Sequence, residues 1–194
     1  LDKLNNRIVY NNSAEIICDL VMKQISTSYA YDMVLPETGQ KVKRMYFTKF
    51  SDRGFRSEWI RDGKNYVYLS NKFGIYEYYP DDNISYFIPQ NRNQSLENED
   101  NFSCGLKEAE QSGWKIIGEE IINGEECYLV NFPNDDEGMN FNWMSKETGQ
   151  ILTLEKQKRN RREILWYYTN YEFNIDDDLF KIPSGVKIIN TTIK

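Results

Sequence analysis

The sequence contains no histidine. That removes the commonest general base, the commonest metal ligand and the usual partner of a nucleophilic serine or cysteine. Cysteine is scarce. Cys18, Cys104 and Cys127 make no C-x-x-C pair, and without histidine they form no zinc site, so no metal and no cofactor is expected. In an oxidising compartment an odd number implies one spare thiol or a bridge between chains; the competing expectation is three buried, inert thiols. A basic surplus is also missing. The net charge is −6, a poor match for nucleic-acid phosphates. No run approaches the ~18 consecutive apolar residues of a membrane span. No G-x-x-x-x-G-K-[ST] phosphate loop occurs. Residues 1–6 do not resemble a signal peptide, although a cleaved one would leave no trace.

What is present suits a β-rich fold. The 194 residues fit one domain, 1–194, large enough to bury a core without disulfides. Aromatic residues make up 14%, with 14 Tyr, a bias that favours strands and binding surfaces. Short β-prone runs alternate with turn signals, the pattern of an antiparallel meander. Strands are expected at 29–35, 41–50, 55–60, 66–70, 75–79 and 84–88. A second set is expected at 114–122, 125–132, 140–145, 150–158 and 163–173. Asp62-Gly63 and Asn123-Gly124 favour the primed turns that match strand twist. Glu-Thr-Gly-Gln occurs at both 37–40 and 147–150, which reads as shared turn chemistry with Gly at a positive-φ position.

Two stretches look helical: 1–9, as the tail of a helix, and 102–111, with Ser103 as its cap. Residues 91–100 read as a polar loop inside one domain. In 164–173, alternation sets Ile164, Trp166 and Tyr168 on one face and Leu165, Tyr167, Tyr171 and Phe173 on the other. A strand apolar on both sides is covered on both sides, by helices lying on the sheet or by a partner chain.

Four groupings could carry chemistry. Around the 123–124 turn, Glu119 should face Tyr128 and Glu126 should face Ile121, so Glu119 and Glu126 share a face. A glycosidase needs two carboxyls about 5–10 Å apart across a cleft, whereas a hairpin tip is convex and wet. The acidic runs 135–137 and 176–178 lack the alternating spacing of an EF-hand loop and read as solvated loops or caps. Lys156, Lys158, Arg159, Arg161 and Arg162 form a basic cluster at a hairpin tip, able to pair with carboxylate or phosphate or simply to be solvated. Trp59, Tyr66, Tyr68, Tyr76, Tyr78, Tyr79 and Tyr86 lie on consecutive strands, either as cross-strand core pairs or as a surface facing a lipid or partner. The residues singled out for partner binding are Arg159, Arg161, Arg162, Trp59, Tyr76, Tyr78 and Trp166. No catalytic residue is assigned.

Several segments resemble the LolA-like lipoprotein-sorting family: the meander with Arg61 to Tyr68, the hairpin Ile122 to Val130, Trp143 to Gly149, and Asp177 to Val186. The last, with its Leu-Phe-x-Ile-Pro-x-Gly-Val, is the most family-like. The resemblance spans nearly the whole chain. It implies an open, strongly curved antiparallel sheet, a half-barrel with a few helices in its concave face. It also implies an extracytoplasmic, non-enzymatic binding protein. Within that family the Asn-, Ile-, Lys- and Tyr-rich composition is similar to lipoproteins needed for spore germination. That implies a protein partner, a zinc-dependent cell-wall amidase of cortex peptidoglycan that is activated allosterically and keeps its own zinc. It implies a membrane anchor through an N-terminal lipidated Cys, which is not residue 1, so the sequence would begin after it. The alternative is a carrier of lipoprotein acyl chains in an apolar cavity. Long strands with exposed edges also invite pairing between copies, so a homodimer is an expectation.

Overall fold

The computed structural model describes residues 10–49, 54–89, 106–134, 138–158 and 161–191. Among them are two α-helices, α1 (Ser13–Ile25) and α2 (Leu106–Gln111), and twelve strands. The strands are β1 (Tyr29–Val34), β2 (Lys41–Phe47), β3 (Phe55–Arg61), β4 (Lys64–Asn71), β5 (Gly74–Tyr79), β6 (Ile84–Pro89), β7 (Lys115–Ile122), β8 (Glu125–Asn134), β9 (Gly138–Ser145), β10 (Ile151–Lys158), β11 (Arg161–Phe173) and β12 (Lys187–Asn190). Their hydrogen-bonded order is β12-β6-β5-β4-β3-β2-β1-β11-β10-β9-β8-β7, an open sheet. Its described pairs are antiparallel except β12 beside β6, which is parallel. The mostly-β, open antiparallel class expected from the sequence is the one observed.

The chain forms two compact units. Unit 1 comprises Leu1–Gln24 and Asp100–Tyr168, and unit 2 comprises Ile25–Glu99 and Thr169–Lys194. Strand β11 gives its first part to unit 1 and its last part to unit 2.

In unit 1, α1 lies on the sheet. Asn12 O accepts the first helical bond, from Ile16 N at 3.2 Å. Glu15 in the first turn and Lys23 in the last suit the helix dipole. The buried positions Ser13, Ile17, Leu20 and Gln24 recur at helical spacing. Ile17 and Leu20 pack on Ile116, Val130 and Met144, each buried side chain contributing about 1.5–3 kcal/mol. Ala109 of α2 meets Ala14 and Cys18. The other face of these strands buries Leu129, Phe141 and Trp143 as well, whereas β11, expected to be covered on both sides, is half-buried over 164–168 and leaves Phe173 exposed.

In unit 2, the segment after β11 crosses one face of the sheet. A 3-10 turn, Asp177–Phe180, is capped by Asp176, whose side chain accepts from Asp178 N. This is the cap that the acidic run 176–178 offered. Phe180 enters a core with Ala30, Tyr46 and Leu69, flanked by Leu179 and Ile182. Arg56 Nη1 donates to Leu179 O at 2.8 Å and Asn71 Nδ2 to Phe180 O at 3.2 Å, pinning the crossing segment.

Two expectations are corrected, and one described helix was not expected. The described N-terminal helix is 13–25; the expected helix 1–9 and the loop 91–100 lie outside the described residues, as do the cap Ser103 and the run 135–137. Strand β11 does not alternate cleanly: Ile164 pairs with Glu155 but Trp166 pairs with Leu154, with a register shift between them. Ile164 and Trp166 therefore face opposite ways, as a one-residue bulge requires. The cysteines are not all thiols. Cys18 is disulfide-bonded, while Cys127 is free and buried, with burial pushing its thiol up.

Candidate functional site

The strands of unit 2 sort their side chains by register. Tyr29 pairs with Phe47, Phe47 with Phe55, Ser57 with Tyr68, Trp59 with Tyr66, and Glu77 with Tyr68 and Tyr86. Paired residues share a face, so one face of unit 2 is dominated by rings. Two series run across the strands. In the first, Tyr171 meets Tyr31 at 5.3 Å, Tyr31 meets Phe47 at 5.8 Å, Phe47 meets Phe55 at 5.2 Å and Phe55 meets Tyr68 at 6.0 Å. In the second, Trp59, Tyr66, Tyr79 and Tyr86 follow edge to face, at 4.4, 5.1 and 6.1 Å. Lys43 Nζ sits 4.2 Å over Trp59 and the Arg61 guanidinium 5.0 Å over Tyr66.

The aromatic face is graded in depth. Tyr29 and Tyr66 are buried, most other rings are half-buried, and Tyr86 is exposed. Burial, reinforced by the Glu77 carboxylate, pushes the Tyr66 hydroxyl well above the ordinary tyrosine range. The face can therefore accept apolar or aromatic groups while its deeper rings keep it rigid.

The opposite face carries the Phe180 core and a polar stripe. Arg44 and Arg56 flank the Tyr46 ring, at 5.4 and 5.8 Å. Tyr46 Oη donates to Glu58 at 3.0 Å, and Arg56 pairs with the same carboxylate at 2.6 Å. Burial and the Glu58 carboxylate raise the Tyr46 hydroxyl.

The residues singled out from the sequence do not converge. Trp59 belongs to the aromatic face. Tyr76 and Tyr78 lie on the opposite face of β5, where Tyr78 is buried and Tyr76 packs against Phe87 at 4.6 Å. Trp166 is half-buried on β11, paired with Leu154. Arg161 and Arg162 open β11 beside Lys158 and Gln157, and Arg159 lies outside the described residues. The aromatic face instead recruits Tyr29, Tyr31, Phe47, Phe55 and Tyr171. Their signal was the period-two spacing of Tyr29, Tyr31 and Met33, and a ring at each end of the β2–β3 connection.

The Glu119 and Glu126 pair does share a face. Lys146 lies between them, at 2.6 and 3.7 Å, so these carboxylates form a surface ion cluster at a hairpin.

No family model matches the chain, and neither does any curated protein. Solved structures do. An uncharacterized conserved protein from Thermus thermophilus is 13% identical over 92% of this chain and 99% of its own, with a TM-score of 0.61. MucB in complex with MucA(peri) is 11% identical over 93% of this chain, with a TM-score of 0.55. The chain spans 62% of that MucB chain. A putative outer membrane lipoprotein-sorting protein domain from Vibrio parahaemolyticus aligns with 15% identity over 87% of this chain and 95% of its own, at a TM-score of 0.39, too low to carry an argument. The chain shares its fold with the Thermus protein and with the matched part of MucB.

Proposed function

We propose that this chain is a non-enzymatic, extracytoplasmic binding protein of the LolA-like kind, and that its ligand is the acyl portion of a lipoprotein or lipid. The observation that carries the reading is the aromatic face of unit 2, where rings on neighbouring strands from β11 across to β6 form one apolar surface of graded depth. Such a surface on a sheet accepts flexible apolar chains without directional partners. The lack of histidine supports binding over catalysis, since no nucleophile–base pair can be composed in the usual way.

A second reading has its own support. MucB shares the fold and was crystallised with a protein partner. The composition resembles that of germination lipoproteins, which points to a zinc-dependent amidase as the partner and to a membrane-anchored protein. On that reading the chain favours one state of the amidase by binding it more tightly than the other.

One experiment separates the two. The purified chain is extracted with organic solvent and analysed for acyl chains by mass spectrometry. In parallel it is mixed with a cortex amidase and followed by size exclusion with light scattering. Co-purifying acyl chains that are lost in Trp59→Ala/Tyr86→Ser support the carrier. A stable complex that raises the zinc content of the amidase, with no acyl chain extracted, replaces it with the activator.

A further inference from the structure

On the face of unit 2 opposite the rings, β1, β2 and β11 border a shallow, open cleft of about 480 Å³, lined by Asp32, Lys41, Arg44, Asn170, Tyr171 and Glu172. Its floor is a buried ion pair. Asp32 is 5% exposed and lies directly across from Arg44 in the β1–β2 register. Arg44 Nη1 donates to Asp32 Oδ1 at 3.1 Å, and Asn170 Nδ2 donates to Asp32 Oδ2 at 2.9 Å. The other arm of the guanidinium, Nη2, pairs with Glu172 Oε1 at 2.8 Å. Asn170 has φ +51° within β11, a left-handed conformation that Asn tolerates. Its carbonyl accepts from Arg44 Nη1 at 3.3 Å, so backbone and side chain of one residue both serve the floor.

The rim differs from the floor. The Lys41 side chain is 57% exposed and its ammonium stands 3.7 Å from Asp32 Oδ1, beyond a hydrogen bond. The Glu172 side chain is 64% exposed, with only Oε1 engaged in its ion pair to Arg44. Charges alternate along the cleft: Lys41 positive, Asp32 negative, Arg44 positive, Glu172 negative. A lone anion would gain from Lys41 and Arg44 but meet Asp32 and Glu172. A lone cation meets the converse. A molecule carrying both charges, its anion toward Lys41 and its ammonium toward Glu172, meets a complementary partner at each end. The floor groups are fixed by their own bonds, so little ordering remains to be done on binding.

We propose that this cleft binds a small zwitterion with a primary ammonium and a carboxylate or phosphate. The chemistry is shared by a free amino acid or short peptide and by an aminoethyl-phosphate lipid headgroup. The inference does not depend on the acyl-chain reading, which concerns the other face.

The test titrates the isotope-labelled full chain with glycylglycine and with phosphoethanolamine, following backbone amides of β1, β2 and β11 by NMR. Acetate, ethylammonium and phosphocholine serve as controls. The expected result is saturable binding of a zwitterion with Kd of about 0.1–5 mM, at least roughly tenfold tighter than either half-ligand. Phosphocholine, whose quaternary nitrogen cannot donate to Glu172, should bind more weakly than phosphoethanolamine. Lys41→Gln and Glu172→Gln alter exposed groups, and each should weaken binding about tenfold. Both groups are exposed, so each variant should keep the wild-type amide spectrum outside β1, β2 and β11, which a loss through misfolding would not do. Co-sedimentation with phosphatidylethanolamine vesicles, absent with phosphatidylcholine, would assign the zwitterion to a lipid; soluble binding without co-sedimentation would assign it to a free molecule. No saturable shift up to about 20 mM of either zwitterion, a range that covers very weak binding, would overturn the proposal. So would binding indifferent to both rim substitutions.

Discussion

Gly39 and Gly149 occupy the same position of the same turn in different surroundings. In each Glu-Thr-Gly-Gln turn the Gly N–H donates back four residues, to Leu35 O and Ser145 O, both at 2.9 Å. In each the Gln N–H is bonded to the Thr hydroxyl, at 3.1 and 3.3 Å. Both glycines have positive φ, +67° and +75°. A Cβ at Gly39 would meet open space, whereas one at Gly149 would run into the Leu20 carbonyl of α1. Gly39→Ala should therefore cost about 1 kcal/mol, from φ alone. Gly149→Ala should cost about 2–4 kcal/mol, because α1 must also shift; thermal unfolding of the two variants side by side measures the gap, and equal losses would refute it. The tyrosines make a second residue-scale prediction. Burial pushes the Tyr168 hydroxyl up to about 12, and Tyr66 is raised further. A hydroxyl raised in the folded state lends its full stability below the unfolded value near about 10, and loses it as pH climbs through the folded value. Stability should thus fall steeply from about pH 10 to 12, with the last tyrosinate absorbance developing only as the chain unfolds. Cys127 gives a simpler readout. Its thiol should ignore an aromatic disulfide reagent in the native protein and react once denaturant is added.

The hairpins were the legible elements, for a local reason. Asp62-Gly63 and Asn123-Gly124 both adopt positive φ at each position, from +52° to +89°, which only such residues accept cheaply. Their strands follow within one or two residues of the expected bounds. What was illegible depends on distant chain. Helix α1 is rich in β-branched residues, and its helical state rests on Ile17 and Leu20 meeting Met144 and Val130, contacts no local pattern announces. Strand β12 pairs in parallel with β6, so no turn signals it. The bulge in β11 reverses the face of Ile164 although the sequence alternates smoothly. The site shows the same division. The rings were visible as a composition, but their sorting into two faces needed the register, and the Asp32–Arg44 pair needed the partner strand. That pair gives a prediction for β1 and β2. Asp32→Ala takes from the Arg44 guanidinium its buried carboxylate, and removing one partner of a buried pair should cost about 3–5 kcal/mol. Replacing both, with Asp32→Val/Arg44→Met, should restore much of that loss. Chemical denaturation of the three proteins decides the matter, and an additive double variant would mean the pair is not coupled.

At the scale of the whole chain, the two units are interleaved in sequence. The chain passes from unit 1 to unit 2 after Gln24, back after Glu99, and again to unit 2 after Tyr168. Neither unit is a continuous segment, so neither can form from one stretch of the chain alone. Strand β11 runs unbroken from Arg161 to Phe173, and a strand that loses its order in one half withdraws hydrogen bonds from the other. Melting of unit 1 should therefore carry unit 2 with it, which makes the chain one cooperative domain. The decisive comparison is between core truncations placed in each unit. Leu20→Ala empties the core under α1 and Leu69→Ala empties the core under Phe180; each should cost about 2–5 kcal/mol. If the units are coupled, both variants lower a single transition followed equally by far-ultraviolet circular dichroism and by tryptophan fluorescence. The two probes weight the units differently, since Trp114, Trp143 and Trp166 belong to unit 1 and Trp59 to unit 2. Fluorescence that melts early in Leu20→Ala while part of the strand signal persists to a higher temperature would show instead that unit 2 holds without unit 1, and that β11 is a hinge between independent halves.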